Sequence, residues 1–240
     1  MNNLTVNSIF RTMNIQKIEE EVRSSEILNH PFLIKLQSGG YDKEQIKLWV
    51  SQQFYFSNQF PRCLGALWCR ISDYQISLPL MKFLAVEHWG SEETGAHWKQ
   101  YRKVLDYFGL SINELKSVPA FDETKEYLDY RFNVCLNNTV EEGLGCMGFA
   151  HELVNEKIFA SYYHGVKTIE GIPDSALTYF KSHIEDEPED YQIFKNIILS
   201  FVKSDESLQL VEKGAIQTLE RRIIFFDHMK NRLDNFSKYQ

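Results

Sequence analysis

Three stretches of the chain pair carboxylates with imidazoles at spacings that could hold a metal ion. The first carries Glu87 and His97. The second is Gly148-Phe-Ala-His-Glu152-Leu-Val, where the acid shares a stripe with Met147, Phe149 and Phe159. The third is His183-Ile-Glu-Asp-Glu187-Pro-Glu-Asp190, whose positions i, i+4 and i+7 share one face of a helix, so that three nitrogen and oxygen donors converge. Hard carboxylates mixed with imidazoles, projecting inward from different helices, are what a pair of ferrous ions needs in order to activate dioxygen.

Each piece also has a plainer explanation. Helix capping and the macrodipole alone would place His183 near a helix end, with Glu187, Glu189 and Asp190 at the next start. Glu152 alone could be a solvated acid. Glu87 and His97 stand about 15 Å apart along a straight helix, so one centre takes both only if the chain unwinds between them, and Gly90 and Gly95 permit that break. Glu93 with His97, at i and i+4, is the alternative pair and needs no unwinding. His88 and His151 neighbour these donors but point about 100° away, which suits the surface or an outer layer of the site.

Helical periodicity runs the length of the chain, and no stretch has the alternation of a strand. The first helix is expected over Ser8 to Leu28, with Ile9, Met13, Ile15, Ile18 and Val22 on its stripe, ending before His30-Pro31. After Gly39-Gly40, Asp42 caps a helix through Trp49 and Phe60, kinked at Pro61. A third is expected from Pro79 to Gly109, a fourth over Phe121 to Asn137, and a long one from Thr139 to Tyr163. Asp174 starts another, with a kink or restart at Pro188, and Ser207 to Asp234 forms the last. The expectation is one compact all-α bundle of about seven helices, a single domain over residues 1–240.

The 240 residues carry 33 acidic against 26 basic side chains, a net charge of −7, which argues against nucleic acid as a partner. No apolar run is long enough to span a bilayer, and the start lacks a basic segment followed by an apolar one, so a cytoplasmic protein is expected. Cys63, Cys69, Cys135 and Cys146 form no CxxC pair and read as reduced, mostly buried thiols.

The order Glu, His, Glu, then His-x-x-x-acid-x-x-ligand, with His30-Pro-Phe and Ala96-His-Trp followed by Leu105-Asp-Tyr-Phe-Gly-Leu-Ser, resembles the heme-oxygenase-like superfamily over about residues 30–235. The likeness is to CADD-like proteins and heme-oxygenase-like diiron oxidases, with pyrroloquinoline quinone synthase (PqqC-like) and TenA-type proteins as more distant cousins. It implies a metal-dependent oxidoreductase holding two iron ions, with manganese as the other candidate, through Glu87, His97, Glu152, His183, Glu187 and Asp190. Glu187 and Asp190 stand where the family usually has Asp and His, and Pro188 is a further departure. Dioxygen, a small organic substrate and a homodimer are implied as partners. CADD-like members are associated with making p-aminobenzoate from one of their own tyrosines, of which this chain has 12.

Two rival readings follow from the same resemblance. A TenA-type aminopyrimidine hydrolase would use no metal, with Cys146 as nucleophile and Glu220 as its acid. A non-enzymatic helical module would bind a partner protein and leave the acids solvated. The aromatics Trp49, Phe54, Tyr55, Phe56, Phe149, Tyr162 and Tyr163 are candidates to line a cavity, and His30, ahead of Pro31, suits a turn better than an axial heme ligand.

Overall fold

Helix caps written into the sequence fix most of the element starts. In the computed structural model, which describes residues 3–89, 95–117 and 119–238, Asp42 accepts from the Gln45 amide and the Gln45 side chain accepts from the Asp42 amide. That reciprocal box opens α3 (Lys43–Trp68). Thr139 and Glu142 make the same arrangement at the start of α8 (Val140–Leu144).

The order is α1 (Asn3–Ser24), α2 (Pro31–Gln37), α3, α4 (Tyr74–Trp89), α5 (His97–Tyr107), α6 (Ile112–Ser117) and α7 (Asp122–Asn137). Then come α8, a π segment (Gly145–Glu152), α9 (Leu153–Lys167), α10 (Asp174–Phe201) and α11 (Asp205–Asp234). Because α8, the π segment and α9 form one rod, the described residues make ten helical rods rather than about seven.

The expected third helix is two. α4 begins at Tyr74, five residues before Pro79, and ends at Trp89; α5 begins at His97, after Gly95 at φ +74°. Gly90 and Glu93 lie outside the described residues. Short α2 and α6 add the remainder. The first helix begins at Asn3 and stops at Ser24, passing into a 3₁₀ turn (Glu26–Asn29) capped by Ser25. Ile15, Ile18 and Val22 are buried as their spacing requires, whereas Met13 is 54% exposed, so the stripe is narrower than it reads. At Pro188 there is no restart: α10 runs unbroken from Asp174 to Phe201, as α3 does through Pro61. An interior proline costs about 3 kcal/mol, and both long helices carry one without ending at it.

The rod of α8, the π segment and α9 runs through the middle of the bundle, with α11 and α10 against it. Its approach to α11 requires glycine: a Cβ at Gly145 would lie 1.9 Å from the Val211 carbonyl oxygen, and one at Gly214 2.1 Å from that of Glu142. Phe149, Ala150, Phe194, Ile198 and Phe226 fill the adjoining core. Among the described residues no helix is long and apolar enough to cross a membrane.

Candidate metal and substrate cavity

The break between α4 and α5 brings together two residues that ten positions of straight helix would hold apart. His97 Nδ1 lies 2.9 Å from Glu87 Oε1, and both side chains are buried. Two further contacts lock the corner: the Trp98 indole donates to the His88 carbonyl at 3.2 Å, and the Gln100 amide donates to the Gly95 carbonyl at 3.1 Å. Gln100 also accepts from Ser182 at 2.7 Å, tying α5 to α10 one residue before His183.

His183 is held on three sides. Its Nδ1 is 2.7 Å from the Tyr179 carbonyl; a carbonyl only accepts, so Nδ1 carries the proton and Nε2 the lone pair. Phe159 stacks on the ring at 4.3 Å and 10°, and the His97 ring lies 4.4 Å away. Burial, reinforced by the nearby His97, pushes the His183 pKa well below its ordinary value, so the ring is neutral at pH 7. A neutral imidazole with its tautomer set by a backbone carbonyl is a ring prepared to offer Nε2.

Glu152 reaches the same space from the last position of the π segment, where it is 2% exposed. An α-helix would place successive side chains about 100° apart at a regular pitch. Glu152 and Asn155, three residues apart, line the cavity, while His151 turns into the core. Asp190, half-buried on α10, lines the cavity as well. Glu87, His97, Glu152, His183 and Asp190, from four helical rods, therefore surround one cavity of about 410 Å³. The side chain of Glu187 lies outside the described residues.

The rest of the wall is apolar and largely aromatic, including Phe54, Phe56, Phe60, Phe83 and Phe159. Of the seven aromatics singled out from the sequence, only Phe54 and Phe56 are on this wall. Trp49, Phe149 and Tyr162 are core, with Trp49 and Tyr162 rings 4.8 Å apart. Cys146 and Glu220 are not among the lining residues: Cys146 is fully buried beside Cys135, and Glu220 is exposed. His30 caps α2, its Nδ1 accepting from the Phe32 amide at 3.1 Å.

His151 is fully buried rather than at the surface. It belongs to a second polar cluster that spacing alone does not reveal. Arg222 donates to the Ala150 carbonyl at 2.9 Å and to Asn155 Oδ1 at 3.0 Å, with His151 Nδ1 at 3.3 Å; Arg131 donates to Gln59 and to the Phe56 carbonyl. Both guanidinium groups lie over the Phe56 ring, at 4.0 Å for Arg131 and 5.5 Å for Arg222. Burial, with the two arginines adding to it, holds the His151 pKa well below normal. The available signal was position: Arg222 stands three after Leu219 and four before Phe226, on the buried stripe of α11.

Two imidazoles and hard carboxylates match iron in donor chemistry. As the side chains stand, no three His, Cys, Asp or Glu among the described residues are grouped so as to hold an ion. What the cavity has is the donor set, with both rings already oriented through Nδ1.

Comparison with known proteins gives the family and the fold. The pattern of a family described as iron-containing redox enzyme matches residues 47–222, which include every donor named above. The 4-aminobenzoate synthase of Chlamydia pneumoniae is 22% identical over 171 residues, covering 71% of this chain and 75% of that protein. A CADD-like protein of unknown function from Nostoc punctiforme superposes with a TM-score of 0.79 at 12% identity, covering 92% of this chain and 97% of the other. A TenA homologue from P. horikoshii does so at 0.69 and 16%, covering 91% and 97%. With the family pattern spanning most of its length and this fold beneath it, the chain belongs to the iron-containing redox enzymes of heme-oxygenase-like architecture.

Proposed function

We propose that the chain is a non-heme iron oxidase or oxygenase that uses dioxygen on a small organic substrate in this cavity, with 4-aminobenzoate formation as its role. The observation that carries the reading is the convergence of His97, His183, Glu87, Glu152 and Asp190 on one apolar-walled space. The metal ligands would be these five together with Glu187, holding two ions. Bound iron would supply electrons to dioxygen and so the oxidising power that protein side chains lack.

The chain's own residues do the rest. Tyr179 and Glu87 fix the two imidazoles through Nδ1, which spares the reaction the cost of orienting them. The phenyl wall keeps water from the reacting atoms. The 4-aminobenzoate role is favoured by the relatives that carry that name and by Tyr101 and Tyr179, which stand on the cavity wall with rings 4.6 Å apart.

The test is anaerobic loading with ferrous ion, removal of excess metal and assay of iron per chain, followed by oxygen admission and mass spectrometry for 4-aminobenzoate. Close to two irons per chain, falling at least fivefold in Glu152→Gln and His183→Ala, is the expected outcome. A folded protein that retains no iron would end the proposal.

A further inference from the structure

Charge along the cavity is graded. Its buried part carries the acids Glu87 and Glu152, with Asp190 half-buried, whereas the exposed lining residues, taken as its rim, include Arg62 from α3 and Arg102 from α5. His88 and Trp98 stand at the same rim. Both arginines line this one cavity, and neither guanidinium is tied by a hydrogen bond or ion pair to a described residue, which leaves them free to meet a ligand. Between rim and floor the wall is hydrocarbon, with Phe54, Phe60, Phe83, Leu105 and Ile112.

A ligand entering this space meets fixed cations first, then an apolar sleeve, then carboxylates. The arrangement disfavours an anionic head at the floor and favours it at the rim, where a guanidinium offers paired N–H donors to a carboxylate. We infer that Arg62 and Arg102 form an anion-binding rim, and that the ligand of this cavity is an organic carboxylate whose apolar body passes down the sleeve with its reacting end toward Glu152 and His183. This rests on the proposed function for what happens at the floor, but not for binding at the rim. An aryl acid such as 4-aminobenzoate and an alkyl acid share the required chemistry and differ in shape.

The test is equilibrium binding to the full chain, prepared both metal-free and ferrous-loaded under anaerobic conditions. Calorimetry would be run with 4-aminobenzoate and octanoate, and with their uncharged partners 4-aminobenzamide and octan-1-ol. At least one acid is expected to bind tenfold or more tightly than its neutral partner, in both metal states. In the Arg62→Gln/Arg102→Gln double variant that preference should fall to less than threefold, and Arg62→Lys/Arg102→Lys should restore part of it. Which acid responds identifies the body as aryl or alkyl. The inference is overturned if neither acid outbinds its neutral partner, or if the preference survives in the glutamine variant. A carboxylate held by metal rather than by arginine would show as a preference confined to the loaded protein and indifferent to the substitutions, which also overturns it. Iron content measured on the same samples separates the two proposals: a rim that binds acids in a chain without iron leaves this inference standing while the proposed function falls.

Discussion

Adjacent residues of the π segment serve opposite ends. Glu152 faces a cavity lined by donors whose further partners would be a metal and a ligand, while His151 faces a cluster whose partners are the protein itself: Arg222, Tyr127 and the backbone around Phe56 and Ala150. Both regions bury histidine among aromatic rings. The difference lies in what the acceptor atoms meet: His151 Nδ1 and Asn155 Oδ1 meet the Arg222 guanidinium, whereas Glu152 and His183 line an open cavity.

The contrast can be broken most forcefully at its shared scaffold. Gly145→Ala, which drives a Cβ against the Val211 carbonyl, should cost about 3 kcal/mol or more and disturb both regions together. Urea unfolding measures the loss, and a stable alanine variant would show that the close approach to α11 is unimportant. Within the closed cluster, Arg222→Met strands the Ala150 carbonyl and Asn155 Oδ1. A loss of about 2 kcal/mol is expected, with iron content of the folded protein retained.

Glu152→Gln sharpens the comparison from the other side. Stability should change by less than about 1 kcal/mol, or rise, because site residues are kept for function at the expense of stability. Iron binding should collapse. If this change proves costlier to the fold than Arg222→Met, the division between the two regions is wrong.

The smallest effect belongs to His30, whose Nδ1 must stay unprotonated to cap α2 and whose pKa is lowered by burial, with Asp227 opposing. A group with a folded pKa below its unfolded value of about 6.5 contributes stability that is complete above that pH and is lost as pH falls through the folded value. His30→Asn keeps a capping oxygen without the proton, so its stability should decline less steeply than the parent's from pH 7 to 5. His30→Ala should cost about 1 kcal/mol at pH 7.5. Parallel pH curves for parent and asparagine variant would remove His30 from the acid limb.

Much of the fold was legible because local chemistry decided it. Asp42 with Gln45 and Thr139 with Glu142 are complete signals within four residues, and the helices they open begin where those signals stand. What escaped depended on contacts distant in sequence. The break before α5 is permitted by Gly95 at positive φ, but the corner is held by Trp98, Gln100 and Ser182. Helical spacing put Glu187 and Asp190 on one face with His183, and Asp190 does line the cavity. The arginine pair was hidden because arginine on a helix reads as a solvated face; only its apolar neighbours three and four positions away mark Arg222 as interior. The π segment left no trace beyond Gly145 and Gly148.

That segment also makes the central rod unusually sensitive to length. Dropping one residue between 145 and 152 would take out the extra residue that a π turn accommodates and let the rod return to ordinary α winding, which respaces the side chains between Gly145 and Glu152. Point substitutions in this stretch away from Gly145 and Gly148 should therefore be survivable more often than single-codon deletions.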